Sequence, residues 1–246
     1  MIDVDVKSGI AVLRMQHGKV NAMDMEFCQA LIAELENLES SDCRGAILTG
    51  NNRVFSAGVD LVRLLDGGAD YLEQFLPTLT DCFKTIFRFP KPIVAAINGH
   101  AMAGGCVLAA ACDVRLTHSK ARIGIPELRV GVPLPSIAIE IMRFAVAAEA
   151  LQAMVNGGRN YRGETAVRVG LADQIVVPER LLEMAISAAE EMLTIPAAVF
   201  SISKRQLRAP AIRTVEWNES DFENEIIELW HSQQVQQEHT HGQELA

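Results

Sequence analysis

Residues 92–112 read Pro-Ile-Val-Ala-Ala-Ile-Asn-Gly-His-Ala-Met-Ala-Gly-Gly-Cys-Val-Leu-Ala-Ala-Ala-Cys, without one Asp, Glu, Lys or Arg. An uncharged run of about 20 residues matches the length of a membrane span. Two interruptions argue against that reading: Asn98-Gly99-His100 and Gly104-Gly105 break the run, and Ala outnumbers Leu within it. The segment is instead read as a buried strand over residues 93–97, a glycine-containing turn, and a buried helix from about Gly104. No membrane span is expected.

The flanking sequence supports an α/β fold. Residues 2–6 and 10–14 read as a hairpin around Lys7-Ser8-Gly9. Asp24 opens a helix whose apolar positions Cys28, Leu31, Ile32, Leu35 and Leu38 follow the spacing of one buried face. A buried strand is expected over residues 45–49, a polar loop from Gly50 to Gly58, and a helix over residues 71–88 that Pro90 and Pro92 end. A strand over residues 113–117 follows the central helix, and residues 123–135 form a stretch stiffened by proline and glycine. Beyond Ser136 the pattern is mostly helical, with a strand at residues 174–177 and a proline break at Pro196. Strands alternating with helices, then helices alone, indicate α/β with a helical C-terminal part.

Composition narrows the function classes. The chain has 246 residues, enough for one large domain or one domain with an appendage, with 49% hydrophobic and 22% charged residues. Its net charge of -9 is uneven: residues 214–246 hold eight acids and no base, leaving 23 acids against 22 bases in residues 1–213. No basic cluster interleaved with aromatics occurs, so a nucleic-acid partner is not expected. The five cysteines are odd in number and form no Cys-x-x-Cys pair, which suggests reduced, buried thiols. With an N-terminus lacking the pattern of a signal peptide, a cytoplasmic location is expected. The acidic tail, with apolar Phe222, Ile226, Ile227 and Trp230, is either a solvated helix with one packing face or a helix that docks on a neighbouring subunit.

Two glycine-containing segments could carry chemistry. The first, Phe55-Ser56-Ala57-Gly58-Val59-Asp60-Leu61, uses small residues that let the backbone approach a ligand with free N–H groups. The second, Asn98-Gly99-His100-Ala101-Met102-Ala103-Gly104-Gly105-Cys106, joins a strand to a helix N-terminus, where unpaired N–H groups and the helix dipole favour an anion or oxyanion. Each alone is also what a tight turn would need. Neither is a dinucleotide fingerprint or a P-loop, and no Gly-x-Ser-x-Gly elbow of an α/β-hydrolase occurs. Cys106 lacks an evident paired base, His100 is either a pocket or a turn residue, and His239-Thr240-His241 sits in a polar terminus.

Together and in register, the two segments resemble the crotonase superfamily of acyl-CoA hydratases and isomerases. Val20-Asn21-Ala22-Met23 resembles its early Asn-Ala turn, and residues 157–177 resemble its later helix and Gly-Leu-Ala-Asp approach. The resemblance implies a crotonase-like spiral of ββα units over residues 1–192 and a C-terminal helical trimerisation region over residues 193–246, forming a trimer or hexamer. It implies an acyl-CoA thioester as substrate, with coenzyme A as part of that substrate, and no metal or separate cofactor. It places the backbone N–H groups of Ala57 and Gly104 in an oxyanion hole, with Ser56, Gly58, Asp60, Leu61, Gly105 and Val107 around the substrate.

The acid/base positions distinguish the reactions. The family's hydratases carry a glutamate at the position of Val107 and a second at that of Glu127, in Ile125-Pro126-Glu127-Leu128. One carboxylate facing an apolar residue suits a proton shuttle, and Ala103-Gly104-Gly105-Cys106-Val107 resembles the Δ3,Δ2-enoyl-CoA isomerases. Hydratase or other enolate chemistry is the alternative, and a non-catalytic acyl-CoA-binding protein is a third reading. The family often supplies a C-terminal lysine to coenzyme A, which residues 214–246 lack. Arg53 is one candidate for a coenzyme A phosphate, and Lys204, Arg205 and Arg208 are possible substitutes.

Overall fold

The computed structural model describes residues 1–244, and the side chains of all of these but 128, 130, 218–220 and 230–244. Trp230, His239 and His241 therefore lie outside the described side chains. The chain opens with the expected hairpin, β1 (Ile2–Lys7) and β2 (Ile10–Met15), closed by Ser8 and Gly9 at positive φ. A two-residue strand β3 (Ala22–Met23) leads into α1 (Met25–Ser40), whose first turn is capped by the Asp24 carboxylate accepting from Phe27 N–H at 2.8 Å.

A ββα unit then repeats. The first holds β4 (Gly45–Thr49), β5 (Val54–Ser56), the short β6 (Gly58–Val59) and α2 (Leu61–Arg88). The second holds β7 (Ile93–Ile97), β8 (His100–Met102) and α3 (Gly104–Ala111); the third, β9 (Val114–Thr117), β10 (Ile123–Gly124) and α4 (Ser136–Ala145). The leading strands join a six-stranded sheet ordered β1-β2-β4-β7-β9 with β12 (Gln174–Ile175) at its edge. The second strands join a separate sheet ordered β10-β8-β5, edged by β11 (Asn160–Tyr161) next to β10. Helices α5 (Ala148–Gly157), α6 (Gly163–Arg168), α7 (Leu181–Met192) and α8 (Ala197–Glu244) complete the chain.

The central strands β4 and β7 of the larger sheet are buried on both faces, which explains why they carry no polar alternation. Leu13, Leu48 and Ala95 face the main core under α1, α2 and α3, while Val12, Ile47 and Val94 face Leu181, Ala185 and Ala189 of α7. Period-two alternation therefore sorts apolar residues between two cores. Among the described residues, no single helix is long and apolar enough to cross a membrane.

Three sequence expectations needed adjustment. Residues 54–56 and Gly58, expected in a loop, lie in strands: Val54 and Ser56 pair with His100 and Ala101 of β8, and Gly58 pairs with Ala22 of β3. The helix expected from residue 71 starts at Leu61, with Gly68 non-helical inside it (φ 64, ψ -158). The strand expected at residues 174–177 stops at Ile175.

Candidate active site

The two glycine segments touch. A methyl group on Gly99 would fall 1.8 Å from the Arg53 carbonyl oxygen, and one on Gly105 would fall 2.5 Å from that of Ser56. Gly58, at φ +90, faces Ala103 and Gly104 so closely that a methyl would come 2.4 Å from the Ala103 Cβ. These glycines thus let β5 and β6 lie directly on the β8–α3 connection. Asn98 ties the same loops, accepting from Gly50 N–H at 2.8 Å and donating to the Asn51 carbonyl at 3.2 Å.

The early Asn-Ala turn braces the first segment. Buried Asn21, at φ 49, donates its side-chain amide to the Phe55 carbonyl at 3.0 Å. Ser56 donates its hydroxyl to the Asn21 carbonyl at 2.7 Å and accepts from Gly58 N–H at 3.1 Å. Ser56 is thus a fully buried strut of the turn.

The N–H groups separate into engaged and free ones. Ala57, expected to be an oxyanion donor, instead donates to the Val20 carbonyl at 3.0 Å. This corrects that expectation for Ala57: its N–H already has an acceptor. Asp60 N–H donates to the Met23 carbonyl at 3.0 Å across the β3–β6 pair. N–H groups of successive strand residues point to opposite sides, so the intervening Val59 N–H points away from β3. Gly104, the first residue of α3, has no intrahelical acceptor for its N–H. Ala103 precedes it at φ 54, ψ -131, a conformation rare for a residue with a side chain, and its carbonyl accepts from Cys106 and Val107. Sequence reasoning missed Val59; the alternation of a strand through Gly58-Val59 was the available signal.

Val59 and Gly104 line one pocket with Val107 and Glu127. Leu72, Phe75, Leu79 and Phe83 of α2 supply much of its wall, and Ile226 of α8 reaches it. Glu127 opens a single 3-10 turn (Glu127–Val130) after Pro126. Its side chain is buried, and Oε2 has no hydrogen-bond partner. Burial raises the Glu127 carboxyl from its ordinary 4.5 to about 7. A carboxyl so placed exchanges protons near neutral pH.

The other candidates divide by position. Gly105 and Gly58 permit close approach, Asp60 caps α2 by accepting from Arg63 N–H at 3.1 Å, and Leu61 begins that helix. Arg53 is exposed on the loop before β5. His100 accepts from Arg122 N–H at 3.0 Å, the role of a turn residue. Burial pushes the Cys106 thiol far above its usual range, which disfavours a thiolate there.

Lys204 and Arg208 are not available to a coenzyme A phosphate. Both are buried and bind Asp113, at 2.7 and 2.8 Å. Arg208 also donates to the carbonyls of Phe87 and Ala111, at the C-termini of α2 and α3, and Lys204 donates to that of Lys91. Two helix ends and one carboxylate offset the two cations. This cluster clamps α8 to the core, and only Arg205 of the three is exposed.

Comparison with known proteins identifies the family. The model of the enoyl-CoA hydratase/isomerase family matches residues 5–243. The human mitochondrial enoyl-CoA delta isomerase 1 is 29% identical over 229 residues, covering 91% of this chain and 76% of that protein. The apo structure of a Mycobacterium tuberculosis enoyl-CoA isomerase superposes with a TM-score of 0.82 at 31% identity, covering 89% of this chain and 96% of the other. An enoyl-CoA hydratase from Mycobacterium ulcerans gives a TM-score of 0.86 at 28% identity, covering 92% and 98%. The chain belongs to the enoyl-CoA hydratase/isomerase family and is built on its crotonase fold.

Proposed function

We propose that the protein converts 3-enoyl-CoA thioesters to trans-2-enoyl-CoA thioesters, with Glu127 as the single proton shuttle. The observation that carries this reading is the lining of the pocket: one buried carboxyl with an unpartnered oxygen, and apolar Val107 at the other acid/base position. The Glu127 carboxylate removes a proton from C2, and the electron pair moves into a dienolate whose charge rests on the thioester oxygen. The N–H groups of Gly104 and Val59 receive that oxygen. Glu127 returns the same proton at C4, so the double bond moves and no atom is gained or lost. Such a reaction calls for no metal or redox cofactor; coenzyme A enters as part of the substrate. A pair of oxyanion donors and a positioned base each contribute about 10²- to 10⁴-fold.

A second reading, hydration of a 2-enoyl-CoA, is favoured by the Mycobacterium ulcerans relative, which is described as a hydratase. It requires a second group to handle the added water, and Val107 cannot transfer protons. A panel of 2-enoyl- and 3-enoyl-CoA thioesters separates the two. Isomerisation of 3-enoyl substrates without accumulation of 3-hydroxyacyl product supports the proposal, and hydration without isomerisation overturns it.

The exposed Arg53 is the proposed contact for a coenzyme A phosphate. Exposed apolar residues along α8, including Val199, Ile202 and Leu207, support assembly as a trimer or hexamer. Five cysteines without a disulfide among the described residues support a reducing compartment, which we take to be the cytoplasm.

A further inference from the structure

The oxyanion donor Val59 lies on a thinly built part of the site. Its strand β6 pairs with β3 over two residues only, Gly58 with Ala22 and Val59 with Met23. A ladder that short is marginal without outside support. The helical turn that follows, residues 61–67, is cut from the rest of α2 at Gly68 and buries only Leu64. So few residues do not hold a helix by themselves.

Support for this turn converges on Arg63. Its Nη1 donates to Asp24 Oδ2 at 3.3 Å, and its Nη2 donates to Glu26 Oε1. The guanidinium also lies 5.5 Å from the centre of the Tyr71 ring, on the far side of Gly68. Tyr71 in turn accepts from Met25 N–H at 3.1 Å, which ties both parts of α2 to the start of α1. Asp24 is a firm anchor: it is buried, caps α1 through Phe27 N–H, and meets His17 Nε2 at 2.7 Å. We infer that Arg63 is a positioning residue for the oxyanion hole, holding β6 and the first turn of α2 against the β3–α1 junction so that the Val59 N–H keeps its aim. The inference rests on the enolate reading of the pocket.

Asp24 directly follows β3, and Asp60 directly follows β6. Asp60 N–H binds the Met23 carbonyl at 3.0 Å, and the Asp60 carboxylate accepts from Arg63 N–H at 3.1 Å. The Arg63–Asp24 contact therefore adds a side-chain link just beyond the last backbone link of the strand pair. Met23 also borders the second donor, since a methyl on Gly104 would fall 2.9 Å from its Sδ. A slip of β6 against β3 thus changes how the two donors face each other. Arg63 is 44% exposed, and exposed ion pairs add little to global stability. Its effect falls on alignment, where a misplacement of about 1 Å costs about 10²-fold in rate.

The test compares Arg63→Met, which keeps the stem and removes the guanidinium, with Arg63→Lys, both in the full chain. Kinetics use a 3-enoyl-CoA and the matching 3-enoyl pantetheine thioester, which carries no phosphate. Arg63→Met should lower kcat by about tenfold or more on both thioesters and leave each KM within about twofold, because oxyanion contacts strengthen in the transition state. Arg63→Lys, which keeps a cation toward Asp24, should recover about threefold of that loss. An unchanged kcat in Arg63→Met, or no recovery in Arg63→Lys, overturns the inference. So does a loss confined to a raised KM for the CoA thioester, which makes Arg63 a phosphate contact. Amide hydrogen exchange reads the same strut without turnover. The Asp60 amide should exchange about tenfold faster or more in Arg63→Met, with the amides of β4 unchanged. No acceleration at Asp60, or equal acceleration in β4, overturns the inference. If wild type leaves 3-enoyl thioesters unconverted, the isomerase reading fails, and exchange at Asp60 still decides whether Arg63 holds the strand pair.

Discussion

A methyl group on Gly58 would lie 2.8 Å from the amide nitrogen of Gly104. The first glycine segment thus presses on the helix N-terminus supplied by the second, and this contact places Val59 and Gly104 in one pocket. Gly58 also holds φ +90, where a side chain adds strain. Gly58→Ala is expected to cost about 1–3 kcal/mol of stability in urea unfolding. It should also lower kcat/KM by about 10²-fold or more by separating the oxyanion donors.

The two candidate donors on the first segment can be told apart by replacing one amide with an ester. At Val59 the replacement should reduce kcat/KM by about 10²- to 10³-fold. At Ala57, whose N–H binds the Val20 carbonyl, the change should fall mainly on stability. Equal losses of activity at both positions would return Ala57 to the oxyanion hole.

Glu127 must be ionised to accept the C2 proton. With its carboxyl raised to about 7 by burial, kcat/KM for 3-enoyl-CoA should climb with pH, pass an inflection near 7 and level off above it. Glu127→Gln should lower the plateau by about 10²- to 10⁴-fold and remove the inflection. A variant that keeps full isomerase activity would exclude Glu127 as the shuttle.

The same burial makes Glu127 a liability to stability. A carboxyl whose folded value lies above its unfolded value of 4.5 opposes folding once it ionises. Stability should be undiminished by this group below about pH 4.5, fall between about 4.5 and 7, and then stay lower by on the order of 3 kcal/mol. Glu127→Gln should therefore gain unfolding free energy relative to wild type at pH 8 and lose most of that advantage at pH 5. Chemical denaturation at the two pH values measures the difference.

Asp113 holds both Lys204 and Arg208, so Asp113→Asn leaves two buried cations without a counter-charge, facing only carbonyls and aromatic rings. Removing one partner from a buried ion pair costs about 3–5 kcal/mol. Urea unfolding should show a loss of that size, with early release of α8 seen as protease sensitivity beyond Pro196.

Much of the fold was legible because local signals agreed. Gly45–Thr49 and Ile93–Ile97 are continuous apolar strands between turn residues, and Asp24 marks its helix by capping it. Strand β5 was not legible: Val54 and Ser56 become a strand only by pairing with β8, more than forty residues away. The short helical stretch before Gly68 was hidden for a related reason, since its capping Asp60 belongs to the glycine segment.

The site divides in the same way. By itself the sequence determined which residue types are available: two glycine segments that can approach each other, a carboxyl at Glu127, and an apolar residue at Val107. Residue type sets steric bulk and proton-transfer capacity, and both are local properties. Only the tertiary structure decided which backbone N–H groups are free, because that depends on acceptors elsewhere in the chain: the Val20 carbonyl engages Ala57, and the β3–β6 pairing turns Val59 outward. It also decided that Lys204 and Arg208 clamp α8 onto Asp113, because their burial and partners arise when helix ends distant in sequence converge.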